Sequence, residues 1–196
     1  MNKILKIDKD SSIYLDSNDT IIDIDKNVKV SLYQFVTDED VRVVINLNHK
    51  NAEVKYYLNV INYNDHKIDV TVKHKASDTV SNIYNHGVNV KDKKLDFNVN
   101  GYAYKDVVCE CNQENQIINI SDGKSTILPN LYIDSYDAVS NHAAYIGKFS
   151  KEKEFYMMSR GISRDKVRHI LIKSLLIPSY VDRDKIKEFL EEIEKI

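Results

Sequence analysis

Two stretches of this 196-residue chain carry side chains able to do chemistry: the Cys109-Glu110-Cys111 triplet, and the run from Asn141 to Leu176 that opens on His142. A thiolate binds soft metals and iron-sulfur clusters, and a neutral imidazole suits iron. Period-two alternation puts Val107, Cys109 and Cys111 on one face of a strand. Two thiols there either contribute to a metal or cluster site or complete a small apolar column in a core. A full cluster takes about four protein ligands, and the chain has only two cysteines. Of the six histidines, His142 is the metal-ligand candidate, because it sits where the strand pattern ends and an edge is open to a partner. His49 and His74 fall at turns of neighbouring repeats and are expected to lie near each other.

No enzyme signature accompanies these residues. The sequence has no GxxxxGK[ST] phosphate loop, GxGxxG, HExxH or GxSxG, so the chain is expected neither to bind nucleotide nor to catalyse. Its carboxylates fall at turn and outward positions rather than as the paired groups a glycoside hydrolase needs. With 28 Lys+Arg against 30 Asp+Glu and a net charge of -2, nothing global attracts nucleic acid or an anionic membrane. No apolar run approaches the roughly 20 residues that span a bilayer. Charged residues follow Met1 to Leu5 at once, unlike a signal peptide. The expected location is the cytoplasm, with both thiols reduced.

The elements that must position these residues show up as a repeat. Ile22-Asp-Ile-Asp25, Ile45-Asn-Leu-Asn48, Val70-Thr-Val-Lys73, Phe97-Asn-Val-Asn100 and Ile118-Asn-Ile-Ser121 align, each an apolar/polar alternation running into a turn. The second apolar positions, Ile24, Leu47, Val72, Val99 and Ile120, are 23, 25, 27 and 21 residues apart, a period typical of solenoids. A repeat this short holds no core alone and becomes stable by stacking like residues on the rung below. The pattern predicts a mainly β fold, a right-handed parallel β-helix, with Ile22, Ile45, Val70, Phe97 and Ile118 in one inward column and Ile24 to Ile120 in the next. Val28 to Val36, Glu53 to Ile61 and Asp106 to Cys111 would form the opposite sheet. An antiparallel sandwich is the competing arrangement. With only 5 Gly, the turns must use Asn and Asp, which tolerate left-handed backbone. Residues 1 to 19 suggest a ragged first rung.

After Gly147 the period changes to that of helices. Ser150 is placed to cap a helix carrying Phe155 and Met158, and Gly161 suits its left-handed end. Ser163 starts a second helix with Val167, Ile170, Leu171, Ser174 and Leu175 on one face, which Pro178 stops. Asp182 or Asp184 starts a last one carrying Ile186, Phe189, Leu190 and Ile193. The expected division is a β-helix core over 1-147 and a helical subdomain over 148-196.

Asn141-His142-Ala143-Ala144, then Gly147, Phe155-Tyr156 and Ser159-Arg160-Gly161-Ile162, resemble the C-terminal signature of the SufB/SufD family of iron-sulfur cluster assembly proteins, closer to SufD. There the strand motif reads Ser-His-Gly-Ala, so Asn141, Ala143 and Tyr145 depart from it while Phe-Tyr and Ser-Arg-Gly-Ile are kept. Upstream, Asn115, Ile117, Ser121, Pro129 and Leu131 follow the same SufD-like order. The stretch matching the SufB cluster-building cysteine, Gln113 to Ile118, has no Cys here.

The resemblance implies a non-catalytic subunit of an assembly scaffold. It would pair with a SufB-like or identical β-helix protein and dock a SufC-type ABC ATPase through Phe155, Tyr156, Met158, Arg160, Gly161, Ile162 and Ile170. It also implies iron or a transient iron-sulfur cluster at a subunit interface, with His142 as a ligand and Cys109 and Cys111 as weaker candidates. The alternative is a metal-free cytoplasmic solenoid for binding or adhesion, which predicts an exposed aromatic strip along one sheet.

Overall fold

The computed structural model describes residues 3–196. Six strands form one sheet: β1 (Lys3–Ile7), β3 (Asp19–Ile24), β5 (Val41–Leu47), β7 (His66–His74), β9 (Lys94–Ala103) and β11 (Lys124–Ile133). Six more form the other: β2 (Ser11–Tyr14), β4 (Lys29–Thr37), β6 (Glu53–Asn62), β8 (Thr79–Asn89), β10 (Cys109–Asn119) and β12 (Ala138–Gly147). Each sheet runs in rung order and each neighbouring pair is parallel. The chain is therefore a β-solenoid, and a sandwich of antiparallel strands is excluded. The first rung, β1 and β2, covers most of the stretch read as ragged; residues 1 and 2 lie outside the described part.

Alternation drives the assembly. In β7 the inward Ile68, Val70, Val72 and His74 are buried while the residues between them are only partly so. Like residues stack from rung to rung, which closes a continuous core around Ile22, Leu32, Ile45, Tyr56, Val70 and Phe97. Four turn residues hold the left-handed backbone that the glycine shortage demands: Asp38 (φ 56°), Asn51 (62°), Asp78 (58°) and Asp106 (60°).

Two details of the expected columns are corrected. Ile45 stands in register with Val72, not Val70, whose neighbours are Val43 and Val99. Ile118 belongs to β10 in the opposite sheet, in register with Val88, and Ile120 lies beyond that strand. The true column Ile22, Ile45, Val72, Gly101, Leu131 has spacings of 23, 27, 29 and 30 residues, because the rungs lengthen along the chain. A fixed period cannot follow turns that grow, so the later repeats slip by one alternation and then by a whole strand.

The helices follow the last strand: α1 (Lys151–Met158), α2 (Arg164–Leu176), a 3-10 turn (Arg183–Ile186) and α3 (Lys187–Ile193). Ser150 caps α1, its side chain accepting from Lys153 N. Asp182 caps the 3-10 turn by accepting from Asp184 N. Ser163 stands at the N-cap of α2 without a capping hydrogen bond. The chain folds back so that Ile172, Leu176, Ile186, Phe189 and Ile193 cover Ile61 and Val88 on the outer face of the even-numbered sheet.

The buried stripe of α2 is Val167, Ile172 and Leu176, whereas Ile170 and Ser174 are exposed. It is rotated from the predicted face because the sheet beneath, not the helix pattern, decides which side is covered. Beside this contact Tyr14, Tyr33, Tyr57 and Tyr84 stack at 5.1, 5.3 and 4.8 Å, and Tyr180 lies edge-on to Tyr33 and Tyr57. The aromatic strip expected of a glycan binder is thus present, but it is largely used in docking the C-terminal segment.

Candidate partner and metal interface

The last rung leaves the solenoid open. β11 and β12 each pair with one neighbour only, and their inward residues stand over the core with no rung above them. In β12 these are Ala138, Ser140, His142, Ala144 and Ile146, set by the register with the inward residues of β10. His142 is in register with Gln113 below it and Ile83 below that, and it is exposed. The expected edge position of this histidine is where the fold puts it.

Cys109 and Cys111 point into the same interior one rung down and are free and buried. Cys109 packs with Ala103 and Val107, and burial pushes its thiol up to about 11. Burial raises Cys111 as well, partly offset by a hydrogen bond with Ser81. Both are therefore thiols rather than thiolates at neutral pH, which is the apolar-column arrangement. Gly101 faces Cys111 across the core: a Cβ there would come within 2.7 Å of its sulfur and 2.9 Å of Leu131. Only glycine leaves the room in which Cys111 sits.

His74 contributes what the repeat did not show. It ends β7 with its ring buried in the core, whereas His49 is exposed at its turn, and burial pushes His74 down to about 4. Thr79 Oγ1 donates to Ala76 O at 2.9 Å, so it accepts from His74 Nδ1 at 2.8 Å. The ring is thereby fixed as the Nδ1–H tautomer, and Nε2 accepts from Ser81 Oγ at 2.8 Å. Cys111, Ser81, His74 and Thr79 thus form one polar row inside the upper rungs. Its sequence signal was available: His74, Ser81 and Cys111 all occupy inward phases of their strands.

No group of three or more His, Cys, Asp or Glu able to hold a metal occurs among the described residues. His142 and the thiols are brought to one end of the solenoid but not into a common coordination sphere.

The other surface is the helical handle. Phe155 is 74% and Tyr156 59% exposed, with Met158 and Ile170 partly exposed beside them, and α1 buries no residue. Arg160 lies over the Tyr156 ring at 4.9 Å and donates to its hydroxyl at 3.0 Å, which holds both in one orientation. Gly161 takes φ 84° and sends its N–H to Met158 O; Ile162, half-buried, sends its own to Met157 O at 3.4 Å. This left-handed turn joins α1 to α2 and sets the handle's shape.

The molecule is thus a parallel β-solenoid whose last rung carries an exposed histidine on an unpaired edge, followed by a helix with an exposed aromatic face. Residues 3–175 match the SufBD core domain of the SUF system for FeS cluster assembly, and the chain belongs to that family. An iron-sulfur cluster assembly SufBD family protein of Pyrococcus horikoshii is 40% identical over 60 residues, which are 31% of this chain and 13% of the relative. The SufD iron-sulfur cluster assembly protein of Bacillus subtilis is 31% identical over 67 residues, 34% of this chain and 15% of that protein. The matched stretches thus span only about a seventh of either curated relative. No helix among the described residues is long and apolar enough to cross a membrane.

Proposed function

We propose that this chain is a non-catalytic, SufD-like subunit of a cytoplasmic iron-sulfur assembly complex, docking a SufC-type ATPase through residues 150-177 and a SufB-like or identical chain through its open end. The exposed Phe155-Tyr156 face of α1 carries the reading. An aromatic pair held by Arg160, with Met158 and Ile170 next to it, has the composition of an interface core, and no described residue of the chain buries it. The iron-sulfur unit is cargo. His142 stands ready to contribute one ligand, and the protonated, buried Cys109 and Cys111 fit a structural role in this state. The remaining ligands come from the second chain.

Co-purification with a SufC-type ATPase tests the docking. A buried aromatic anchor is worth about 2 kcal/mol or more, so Phe155→Ala should weaken binding by roughly 30-fold. The melting temperature should stay unchanged, since α1 buries no residue. Undiminished binding in both Phe155→Ala and Tyr156→Ala would remove the handle from the interface. Anaerobic reconstitution of the assembled complex with His142→Ala should lose the cluster absorbance of the parent, and an identical spectrum would exclude His142 as a ligand.

A further inference from the structure

The C-terminal helices cover the even-numbered sheet and leave the outer face of the odd-numbered sheet to solvent. Alternation sets which side chains stand on that face. Arg42, Val44 and Asn46 of β5 are in register with Asp69, Thr71 and Lys73 of β7, and these with Asn98, Asn100 and Tyr102 of β9. The middle column of Val44, Thr71 and Asn100 is short, and longer side chains rise on both sides of it. The result is a trough of about 430 Å³, a volume in the range of small-molecule sites.

Its lining holds more donors than the chain itself uses. Arg42 stands in register between Asp19 and Asp69 and forms no ion pair among the described residues. Both oxygens of Asp69 are already taken, Oδ2 by Lys67 Nζ at 3.1 Å and Oδ1 by Asn98 Nδ2 at 2.7 Å. Lys73, half-buried on the opposite wall, has no carboxylate partner among the described residues either. The hydroxyls of Tyr102 and Tyr104 on that wall make no hydrogen bond among the described residues.

The acceptors, in contrast, are occupied. Asn130 Nδ2 donates to the side-chain oxygens of Asn98 and Asn100 at 3.1 and 3.0 Å. Thr71 Oγ1 receives only a long 3.5 Å contact from Asn100 Nδ2, which leaves its own proton free. Two unpaired cations beside free hydroxyl and amide protons complement an oxyanion that carries further acceptor oxygens. From Asp69 to Lys73 the face runs about 13 Å at roughly 3.3 Å per residue, so a bare phosphate is too small to meet both walls.

We propose that this trough binds a small hydroxylated anion of the sugar-phosphate or sugar-acid kind. Arg42 grips two oxygens of its acid group, as a planar guanidinium does best. Thr71, Tyr102 and Lys73 donate to the hydroxyl oxygens that follow along the molecule. Phosphate and carboxylate present the same acceptor chemistry to Arg42, and titration separates them. The site shares no residue with the α1 handle or with the edge that carries His142, so it stands independently of the assembly role.

Calorimetric titration of the purified chain with glucose 6-phosphate and with glucuronate tests the proposal, with glucose and inorganic phosphate as controls. At least one of the two acids should bind, and whichever binds more tightly identifies the acid group. Glucose and inorganic phosphate should each bind at least about tenfold more weakly, for want of the charge in one and of the hydroxyls in the other. Arg42→Gln and Lys73→Gln should each weaken the acid's binding about tenfold or more, the effect of losing a charge-assisted hydrogen bond. Their melting temperatures should not fall, since neither cation holds an ion pair within the chain. Lys50→Gln removes the same charge from a turn outside the trough and should leave the affinity unchanged. No binding of either acid at millimolar concentration overturns the proposal. Equal affinity for inorganic phosphate overturns it too, as does undiminished affinity in both Arg42→Gln and Lys73→Gln.

Discussion

Acid should destabilise this protein well above the carboxylate range, and His74 is the main reason. Its folded value of about 4 lies below the ordinary 6.5 because burial disfavours the imidazolium. The unfolded chain therefore binds a proton first as pH falls, and stability drops from about pH 6.5 down to about pH 4. From those two values the loss between pH 8 and pH 5 is about 2 kcal/mol, and the full loss about 3.4 kcal/mol, at 1.36 kcal/mol per unit. His86, also pushed down by burial beneath α2 and only partly offset by Glu114, acts in the same direction. Paired carboxylates such as Asp38 and Asp40, held below their ordinary value, contribute only at lower pH. Urea unfolding at pH 8 and pH 5 measures the slope. His74→Asn keeps a donor for Thr79 but cannot charge, so its own loss over that interval should be smaller than the parent's by about 2 kcal/mol. Equal pH slopes for parent and variant would refute the buried neutral imidazole, and with it the hydrogen-bonded row from Thr79 to Cys111.

Two further outcomes follow from local geometry. With its thiol moved from 9.0 to about 11, Cys109 has about a hundredfold less thiolate than an exposed cysteine at neutral pH. A disulfide reagent should therefore modify the native chain at least that much more slowly than the urea-unfolded chain, and equal rates would show the upper rungs to be open. Gly161→Ala meets no atom within 4 Å but must adopt φ 84°, so it should cost about 1 kcal/mol through backbone strain alone. That change should also weaken ATPase docking by misorienting α1, and a melting temperature above the parent's would contradict the left-handed turn.

Much of the architecture was legible because stacking makes each rung repeat the same alternation. The strands, the Asn and Asp turns and the caps at Ser150 and Asp182 all follow from local rules in which a residue's neighbours in sequence decide its state. The column through Ile45 and Val72 was missed for a physical reason. Register is chosen by matching inward faces across rungs of 23 to 30 residues, and a one-alternation slip preserves every local preference while changing every partner. The face of α2 was likewise set by what it covers, since its own apolar residues fit more than one stripe.

The sequence by itself pointed to a solenoid with a helical tail, with an antiparallel sandwich as the alternative, to a resemblance to the SufB/SufD family through the motifs from Asn141 to Ile162, and to a histidine at the last strand. Only the tertiary structure decided that Cys109 and Cys111 are buried thiols, that His74 is neutral within the core, and that His142 stands on the unpaired edge of the last rung. Alternation tells a residue which way to face. Whether that direction ends in packed side chains or at an unpaired edge depends on how many rungs lie above it.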